Sequence, residues 1–296
     1  MESIGKSSND KVFIAVNTFL LTLLSVIVIY PLLFILSSSL SNPLEVIKGN
    51  VWLFPKDITF DAYNMVFRDP NIMIGYRNTI LYTLLGTAIN LALTICAAYP
   101  LSRRDFAGRN LITGLLVFTM FFSGGLIPTY LVVKSLGMVN TIWAMVIPNA
   151  VSIYNIIIMR TFLQSSIPGE LQEAAFVDGC SNIGVLIRII LPLSKPILAV
   201  MVLFYGVGHW NAFFNALIYL SDRAQFPLQL VLREILIQNQ MSEQIMADVD
   251  TLASKQMMAE GIKYAVIIVA SLPVLVLYPF LQKYFVKGLL IGALKG

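Results

Sequence analysis

The chain has 296 residues, of which 57% are hydrophobic and only 12% are charged, and its mean hydropathy is +0.80. A soluble globular protein usually carries about 25% charged residues, so this chain has too few charges to cover a water-exposed surface. A soluble enzyme, a disordered chain and a nucleic-acid-binding protein are therefore poor hypotheses. The net charge of +4 is not gathered into a run of Lys and Arg, and we interpret it as loop charge on a membrane protein.

Six charge-free stretches are long enough to cross a bilayer, which takes about 18 residues or more. Each should be helical, because every backbone amide must be hydrogen-bonded internally in hydrocarbon. The first is too long for a signal peptide, whose apolar region is about 7–15 residues, and should remain as the first helix. The sequence therefore predicts an all-α, polytopic membrane protein in which residues 1–296 form a single transmembrane domain. The predicted spans are Val12–Leu44, Asn78–Ser102, Asn110–Val133, Ser135–Met159, Pro196–Ser221 and Tyr264–Gln282.

Charge asymmetry predicts the orientation of these spans. With both termini in the cytoplasm, the inner segments hold 11 Lys and Arg against 6 Asp and Glu, and the outer segments hold 9 against 10. This excess agrees with the positive-inside rule, and the pair Arg103 and Arg104 is its clearest anchor. We expect a multi-pass protein of the cell (inner or cytoplasmic) membrane. The inner segments are 1–11, 100–110, 160–195 and 283–296, and the outer segments are 37–77, 134–140 and 221–263.

Prolines and glycines within the spans predict a packed bundle with bends, because neighbouring helices can satisfy the freed backbone groups. These residues are Pro31, Pro128, Pro148 and Pro273, together with Gly124–Gly125 and Gly206–Gly208.

The spans lack the groups that intramembrane chemistry requires. All 16 acidic residues lie outside them, and His209 is the one titratable candidate within them. A single His excludes an HExxH zinc protease, and no GxxxxGK[ST] motif is present to bind ATP. Cys96 and Cys180 have no metal-ligand spacing and are expected to be unpaired thiols. The sequence predicts no catalytic residue and no metal site, so uphill transport would take its energy from a partner.

Residues 164–195 lie between the fourth and fifth spans and are too many for a simple connector. Ser165 or Ser166 can cap a helix with Pro168 near its first turn. Gly179 can end that helix in the left-handed conformation. We expect a helix, a turn and a second helix at the inner membrane face.

Ser181 can cap the second helix, which Pro192 would end. The small, flat pair Ala174–Ala175 beside Glu173 suits docking into a groove of a soluble protein. A solvated connector with ordinary caps is the alternative.

This segment resembles the EAA loop of permease subunits of binding-protein-dependent ABC importers. It fits the pattern EAA–x3–G–x9–I–x–L–P at every fixed position, and it lies between spans four and five of six, as that loop does. Cys180 stands where Ala is more usual. The resemblance implies the permease fold of type I ABC importers and contact with an ATPase subunit. The residues it assigns to ATPase coupling are Glu173, Ala174, Ala175, Asp178, Gly179, Ile189, Leu191 and Pro192.

The same resemblance implies the partners. They are a second, similar but distinct permease, two ATP-binding subunits, an extracytoplasmic solute-binding protein and the lipid bilayer, with no nucleic acid. ATP and Mg would be bound by the ATPase subunits, with no cofactor in this chain. A stand-alone secondary carrier or channel is the alternative function.

The wider chain is similar to carbohydrate importers of the same type as the smaller permease of the maltose system. The resemblance is found in the sequence segments 127–148 and 287–296. The phrases at 210–220 and 226–236 look closer to permeases for oligosaccharides derived from plants or polysaccharides. The expected substrate is therefore a sugar, and an oligosaccharide rather than a monosaccharide.

A sugar path needs aromatic faces for stacking and amides or hydroxyls for hydrogen bonds. The alternative role for such side chains is to hold helices or permeases together, as Asn and His commonly do. The outer loop 221–263 is a candidate contact for the binding protein, or a surface loop without a partner. The candidate path residues are Tyr205, His209, Trp210, Asn211 and Asn215 in the fifth span and Phe121 and Phe122 in the third.

Overall fold

The computed structural model describes residues 8–245, 261–277 and 279, and these residues form helices with no β-strand among them. The predicted all-α class is confirmed. The helices are α1 (Ser8–Ser39), α2 (Pro43–Ile47), α3 (Asp61–Arg68), α4 (Pro70–Ser102), α5 (Arg109–Phe121), α6 (Leu126–Ser135), α7 (Ile142–Val146), α8 (Ile153–Ser166), α9 (Gly169–Val177), α10 (Asn182–Leu193), α11 (Lys195–Trp210), α12 (Phe214–Tyr219), α13 (Leu228–Ile245) and α14 (Gly261–Leu277).

The chain divides into two compact units. The first comprises Met1–Asp69 and Leu232–Ser271, and the second comprises Pro70–Val231 and Leu272–Gly296. The EAA-like sequence and all the candidate path residues belong to the second unit.

Buried serines at the end of α1 organise the first unit. The Ser37 hydroxyl donates to the carbonyl of Leu53, and the Ser41 hydroxyl accepts the N–H of Lys56 at 3.0 Å. These bonds hold the chain after α2 against the end of α1. The apolar side chains of α1 are exposed from residue 12 to residue 33, and Pro31 lies inside the helix without ending it.

Two helices are individually long and apolar enough to cross a membrane, Asp10–Ser39 and Pro70–Ser102. Two further pairs reach this length only together and are bent, α5 with α6 by 111° and α10 with α11 by 82°. The described part of the chain therefore gives two spans, or four if each bent pair counts as one. The break between α5 and α6 falls at the predicted glycine pair, where Gly125 has a φ of +84°.

The single helix predicted over Ser135–Met159 is wrong. Gly137 and Asn140 both adopt left-handed backbone, with φ of +68° and +59°, which an α-helix cannot contain. The side-chain oxygen of Asn140 accepts the N–H groups of Ser221 and Asp222, each at 3.1 Å. This contact stabilises the break, and only the short α7 forms before α8 begins.

The predicted span Pro196–Ser221 is also interrupted, since α11 ends at Trp210 and α12 begins at Phe214. Of the sixth predicted span, α14 covers the part up to Leu277, and residues 278 and 280–282 lie outside the described residues.

The long helix α4 forms the centre of the second unit, and it packs mainly on α11 and α8. Polar side chains near its N-terminal end hold a distant part of the chain. The Asn78 amide donates to the carbonyls of Ala224 and Phe226 at 2.8 and 3.1 Å, and the Thr79 hydroxyl accepts the N–H of Leu228 at 2.8 Å. The start of α13 is therefore bound to α4.

Candidate functional site

The predicted helix–turn–helix is present as α9 and α10, and we call residues 169–193 the EAA segment. Its start differs from the prediction. Ser165 and Ser166 do not cap α9, because they form the last turn of α8. Pro168 disfavours helical backbone at the residue before it, and Ile167 is accordingly extended with φ −113° and ψ 113°. Pro168 then stands at the N-cap of α9 without a side-chain cap.

The turn between the two helices follows the prediction. Gly179 is left-handed with a φ of +81°. Its N–H donates to the Phe176 carbonyl at 3.0 Å, and the Cys180 N–H donates to the Ala175 carbonyl at 2.9 Å, which is the Schellman pattern of helix termination. The Ser181 hydroxyl accepts the N–H of Gly184 and caps α10, as expected.

The end of α10 differs from the prediction, because Pro192 does not stop it. A π-helical turn over Leu186–Ile190 precedes the proline, and the helix continues to Leu193. Such turns re-space backbone hydrogen bonds where a helix is disrupted. The chain then bends by 82° at Ser194 into α11.

One side of the EAA segment is packed into the protein. Ala175 is 4% exposed and Val185 and Ile190 are almost fully buried, in a hydrophobic cluster with residues of α4, α8 and α11. The motif residues Ile189 and Leu191 are half-buried. The segment is therefore packed against the helical bundle and does not project into solvent.

The other side of the segment is open. Glu173, Ala174, Asp178 and Gly179 are exposed, as is Pro192 further along. Large apolar side chains share this surface, with Val177 89% and Ile183 69% exposed. An exposed surface of small, acidic and apolar residues, on a segment whose other side is packed into the protein, is suited to bind another protein.

Arg103, in the loop after α4, contacts this segment. Its Nε donates to Asp105 Oδ1 at 2.8 Å, and its Nη1 donates to Asn182 Oδ1 at the start of α10. Its guanidinium lies 4.9 Å from the ring centroid of Phe176 in α9. The hydrogen bond from Arg103 lowers the pKa of the Asp105 carboxyl, so this residue is an anion at neutral pH.

Sequence reasoning missed this contact, because it treated Arg103 only as a topology anchor. Nothing in the local pattern marks a residue that bonds to Asn182, 79 positions away.

Two of the candidate path residues bind α4. The Tyr205 hydroxyl shares a hydrogen bond of 2.6 Å with the Thr94 hydroxyl, and His209 Nε2 lies 2.7 Å from Asn90 Oδ1. The Asn90 amide also donates to the Asn149 carbonyl at 2.8 Å. These side chains connect α11, α4 and the break between α7 and α8.

Trp210 is buried and packs edge-on against Tyr76 of α4, with ring centroids 5.9 Å apart. Asn211 is exposed and donates to the Val207 carbonyl of its own helix end at 2.9 Å. Asn215 is half-buried in α12.

The two phenylalanines stand at the end of α5. Phe121 is 78% exposed, and the ring of Phe122 stacks on Phe118 with centroids 4.4 Å apart. The structure thus brings Tyr205, His209 and Trp210 together on α4, whereas Phe121 and Phe122 lie on an open surface.

Comparison with known proteins identifies the family. The chain is 47% identical over all its residues to Protein LplC of Bacillus subtilis (strain 168), and covers 99% of it. It is 41% identical over 277 residues to the polygalacturonan/rhamnogalacturonan transport system permease protein YtcP of the same organism, covering 93% of this chain and 96% of that one. The chain belongs to the ABC transporter permeases. A comparison with protein-family profiles finds no match.

A solved structure agrees with this assignment. The permease superposes with a TM-score of 0.86 and 32% identity on a chain of a bacterial ABC transporter involved in the import of the acidic polysaccharide alginate, covering 96% of the permease and 100% of that chain. The family resemblance stated from the sequence is confirmed. ABC permeases are non-catalytic, membrane-embedded subunits of ATPase-driven importers, and this chain is one of them.

Replacing Gly179 with Ala tests the turn of the EAA segment. A Cβ there would meet nothing within 4 Å, so the cost comes from the left-handed backbone alone, about 1–2 kcal/mol. We predict that Gly179→Ala lowers the free energy of unfolding by that amount, measured by denaturant titration of the permease in micelles. Gly169→Ala is the control, since it also has open space but lies in α9 without a positive φ. Equal effects of the two substitutions would contradict the assigned turn.

Gly86 of α4 tests the packing role of His209. A Cβ on Gly86 would overlap the imidazole of His209 and displace it from Asn90. We predict that Gly86→Ala lowers the free energy of unfolding by about 1–3 kcal/mol, whereas Gly208→Ala, with nothing within 4 Å, has a much smaller effect. The cost should shrink when Gly86→Ala is made in a His209→Ala background. An undiminished cost there would mean that His209 is not the obstacle.

Proposed function

We propose that the permease forms half of the translocation pore of an ATP-driven importer, and that an extracytoplasmic solute-binding protein delivers its substrate. The observation that carries this proposal is the EAA segment. Its motif is complete, and its turn at Gly179 has the left-handed backbone expected of the motif glycine. Its exposed side belongs to a segment whose other side is packed against the helical bundle. A stand-alone carrier has no use for such an edge, whereas a permease driven by a soluble ATPase requires one.

The EAA segment is the proposed contact for an ATP-binding subunit. Glu173, Ala174 and Asp178 provide the exposed docking edge, and Gly179 sets the angle between α9 and α10. Ala175, Ile189 and Leu191 are the contacts by which a movement of the segment would reach the bundle, and Pro192 belongs to the exposed docking surface near the end of α10. ATP and Mg belong to two ATPase subunits, and a second, similar permease completes the pore as a heterodimer.

The proposed membrane arrangement has six spans in one transmembrane domain, in the permease fold of type I importers. Both termini and the loop 164–195 face the cytoplasm, and the loop 221–263 faces outward toward the binding protein. The excess of Lys and Arg in the inner segments supports this orientation. The bent pair α5–α6 supplies the third span, and α11 with α12 supplies the fifth, whereas α10 stays with the cytoplasmic loop.

The proposed substrate is an oligosaccharide released from a polysaccharide, and an acidic one. Two similar proteins support this choice by name, one for polygalacturonan and rhamnogalacturonan transport and one for alginate import. Tyr205, His209 and Trp210 serve mainly to hold α11 on α4. Phe121, Phe122 and Asn211 are exposed and are the proposed sugar-facing residues, together with the half-buried Asn215 of α12.

One experiment tests both the proposed substrate and the proposed ATPase contact. For the contact it compares Glu173 with Glu170, which are both exposed on α9. The importer complex is purified through a tag on the permease and its ATP hydrolysis is measured in lipid, with binding protein and with trigalacturonate or the neutral maltotriose. We expect trigalacturonate to stimulate hydrolysis more than maltotriose does. We also expect Glu173→Ala to reduce the ATPase bound per permease by about tenfold, as for a docking hot spot, whereas Glu170→Ala retains it.

Equal losses in the two variants would contradict the specific role of Glu173. If wild-type permease carries no ATPase and transports the sugar alone, the stand-alone carrier replaces the importer.

A further inference from the structure

We propose that Arg103 is a positioning residue of the importer, which fastens the loop after α4 to both helices of the EAA segment and so couples their movement. The inference rests on the proposed function, since a coupling angle matters only if the segment docks on an ATPase. Neither the motif nor the similar proteins assign Arg103 this role.

The guanidinium of Arg103 has three kinds of attachment. Its Nε and Nη2 donate to the two carboxylate oxygens of Asp105, its neighbour in the loop. Its Nη1 donates to Asn182 and, at 3.3 Å, to the Tyr99 hydroxyl. Its face lies against the ring of Phe176. A bidentate pair of this kind fixes the plane of the guanidinium as well as its position.

The two partners within the EAA segment lie on opposite sides of the turn at Gly179. Phe176 precedes the turn in α9, and Asn182 is the first residue of α10. A single planar group that contacts both helices fixes the angle between them. Because Tyr99 belongs to α4, the same group connects that angle to the bundle.

We call the contacts of Arg103 with Asp105, Asn182 and Phe176 the Arg103 clamp. The two members of its ion pair differ in their exposure to water. The Arg103 side chain is 13% exposed and that of Asp105 is 67% exposed. The ion pair is therefore screened and contributes little to stability. Its effect is to orient the guanidinium toward Asn182 and Phe176. Loss of Arg103 should then loosen the EAA segment without unfolding the protein.

A topology anchor is the competing role for Arg103, as a basic residue at the inner membrane face. Arg104 separates the two roles, because it carries the same charge in the same loop, is exposed and makes none of the contacts described for Arg103. Lysine separates charge from shape, because an ammonium cannot reproduce the guanidinium fork.

The experiment uses the tagged importer complex in lipid nanodiscs and makes two measurements. Backbone hydrogen–deuterium exchange over residues 169–185 reports how firmly the segment is held. The ratio of ATP hydrolysis with and without trigalacturonate-loaded binding protein, normalised to bound ATPase, reports coupling. For Arg103→Ala we expect exchange to rise and the ratio to fall about fivefold, as for a lost charge-assisted hydrogen bond. Arg103→Lys should recover only part, and Arg104→Ala should match wild type.

Unchanged exchange over residues 169–185 in Arg103→Ala would contradict the proposal that Arg103 holds the EAA segment. Faster exchange with an unchanged ratio would overturn its role in coupling, and an equal effect of Arg104→Ala would reassign Arg103 to topology. If no ATPase accompanies wild-type permease, the proposed function fails, while the exchange measurement still decides whether Arg103 holds the segment.

Discussion

The hydrogen bonds made by the buried polar face of α4 are the constraint on which the second unit depends. This face is formed by Asn78, Thr79, Tyr82, Asn90 and Thr94, whose side chains are buried and hydrogen-bonded to other parts of the chain. A buried polar group that loses its partner costs about 1–3 kcal/mol. Each bond therefore fixes one neighbour in place, so that α4 orders the start of α13, the break between α7 and α8, and α11.

The same helix also positions the EAA segment. The last carbonyls of α4 accept hydrogen bonds from α8, with Arg160 donating to Leu101 at 3.0 Å and Gln164 to Ser102 at 3.3 Å. Such donors satisfy groups that a helix end leaves unpaired. Arg103 follows immediately and contacts the segment. In this account a movement of the EAA segment reaches α11 by two routes, through the bend at Ser194 and through α4.

Local patterns predicted much of this arrangement. Charge-free runs located α1 and α4, and the EAA motif located the segment with its turn at Gly179 and its cap at Ser181. The prediction for Ser165 and Ser166 failed because it did not take into account that Pro168 disfavours helical backbone at Ile167. This information is present in the sequence. The broken helix over Ser135–Met159 could not be predicted in the same way, because the left-handed Asn140 is stabilised by amides about 80 positions away.

Long-range pairing also limited the prediction of the site. Aromatic and amide side chains of α11 indicate either a sugar path or helix packing, and only their partners on α4 distinguish these roles. Tyr205 and His209 are paired with Thr94 and Asn90, positions that sequence spacing does not connect.

The most direct test is hydrogen–deuterium exchange of the permease in nanodiscs with Asn90 replaced by Leu, which keeps the number and branching of the side-chain heavy atoms and removes both hydrogen bonds. We predict faster exchange in α11 and at residues 147–152, with α1 unchanged because it belongs to the other unit. Unchanged exchange in α11 and at 147–152 would contradict the claim that the polar face of α4 holds these elements together.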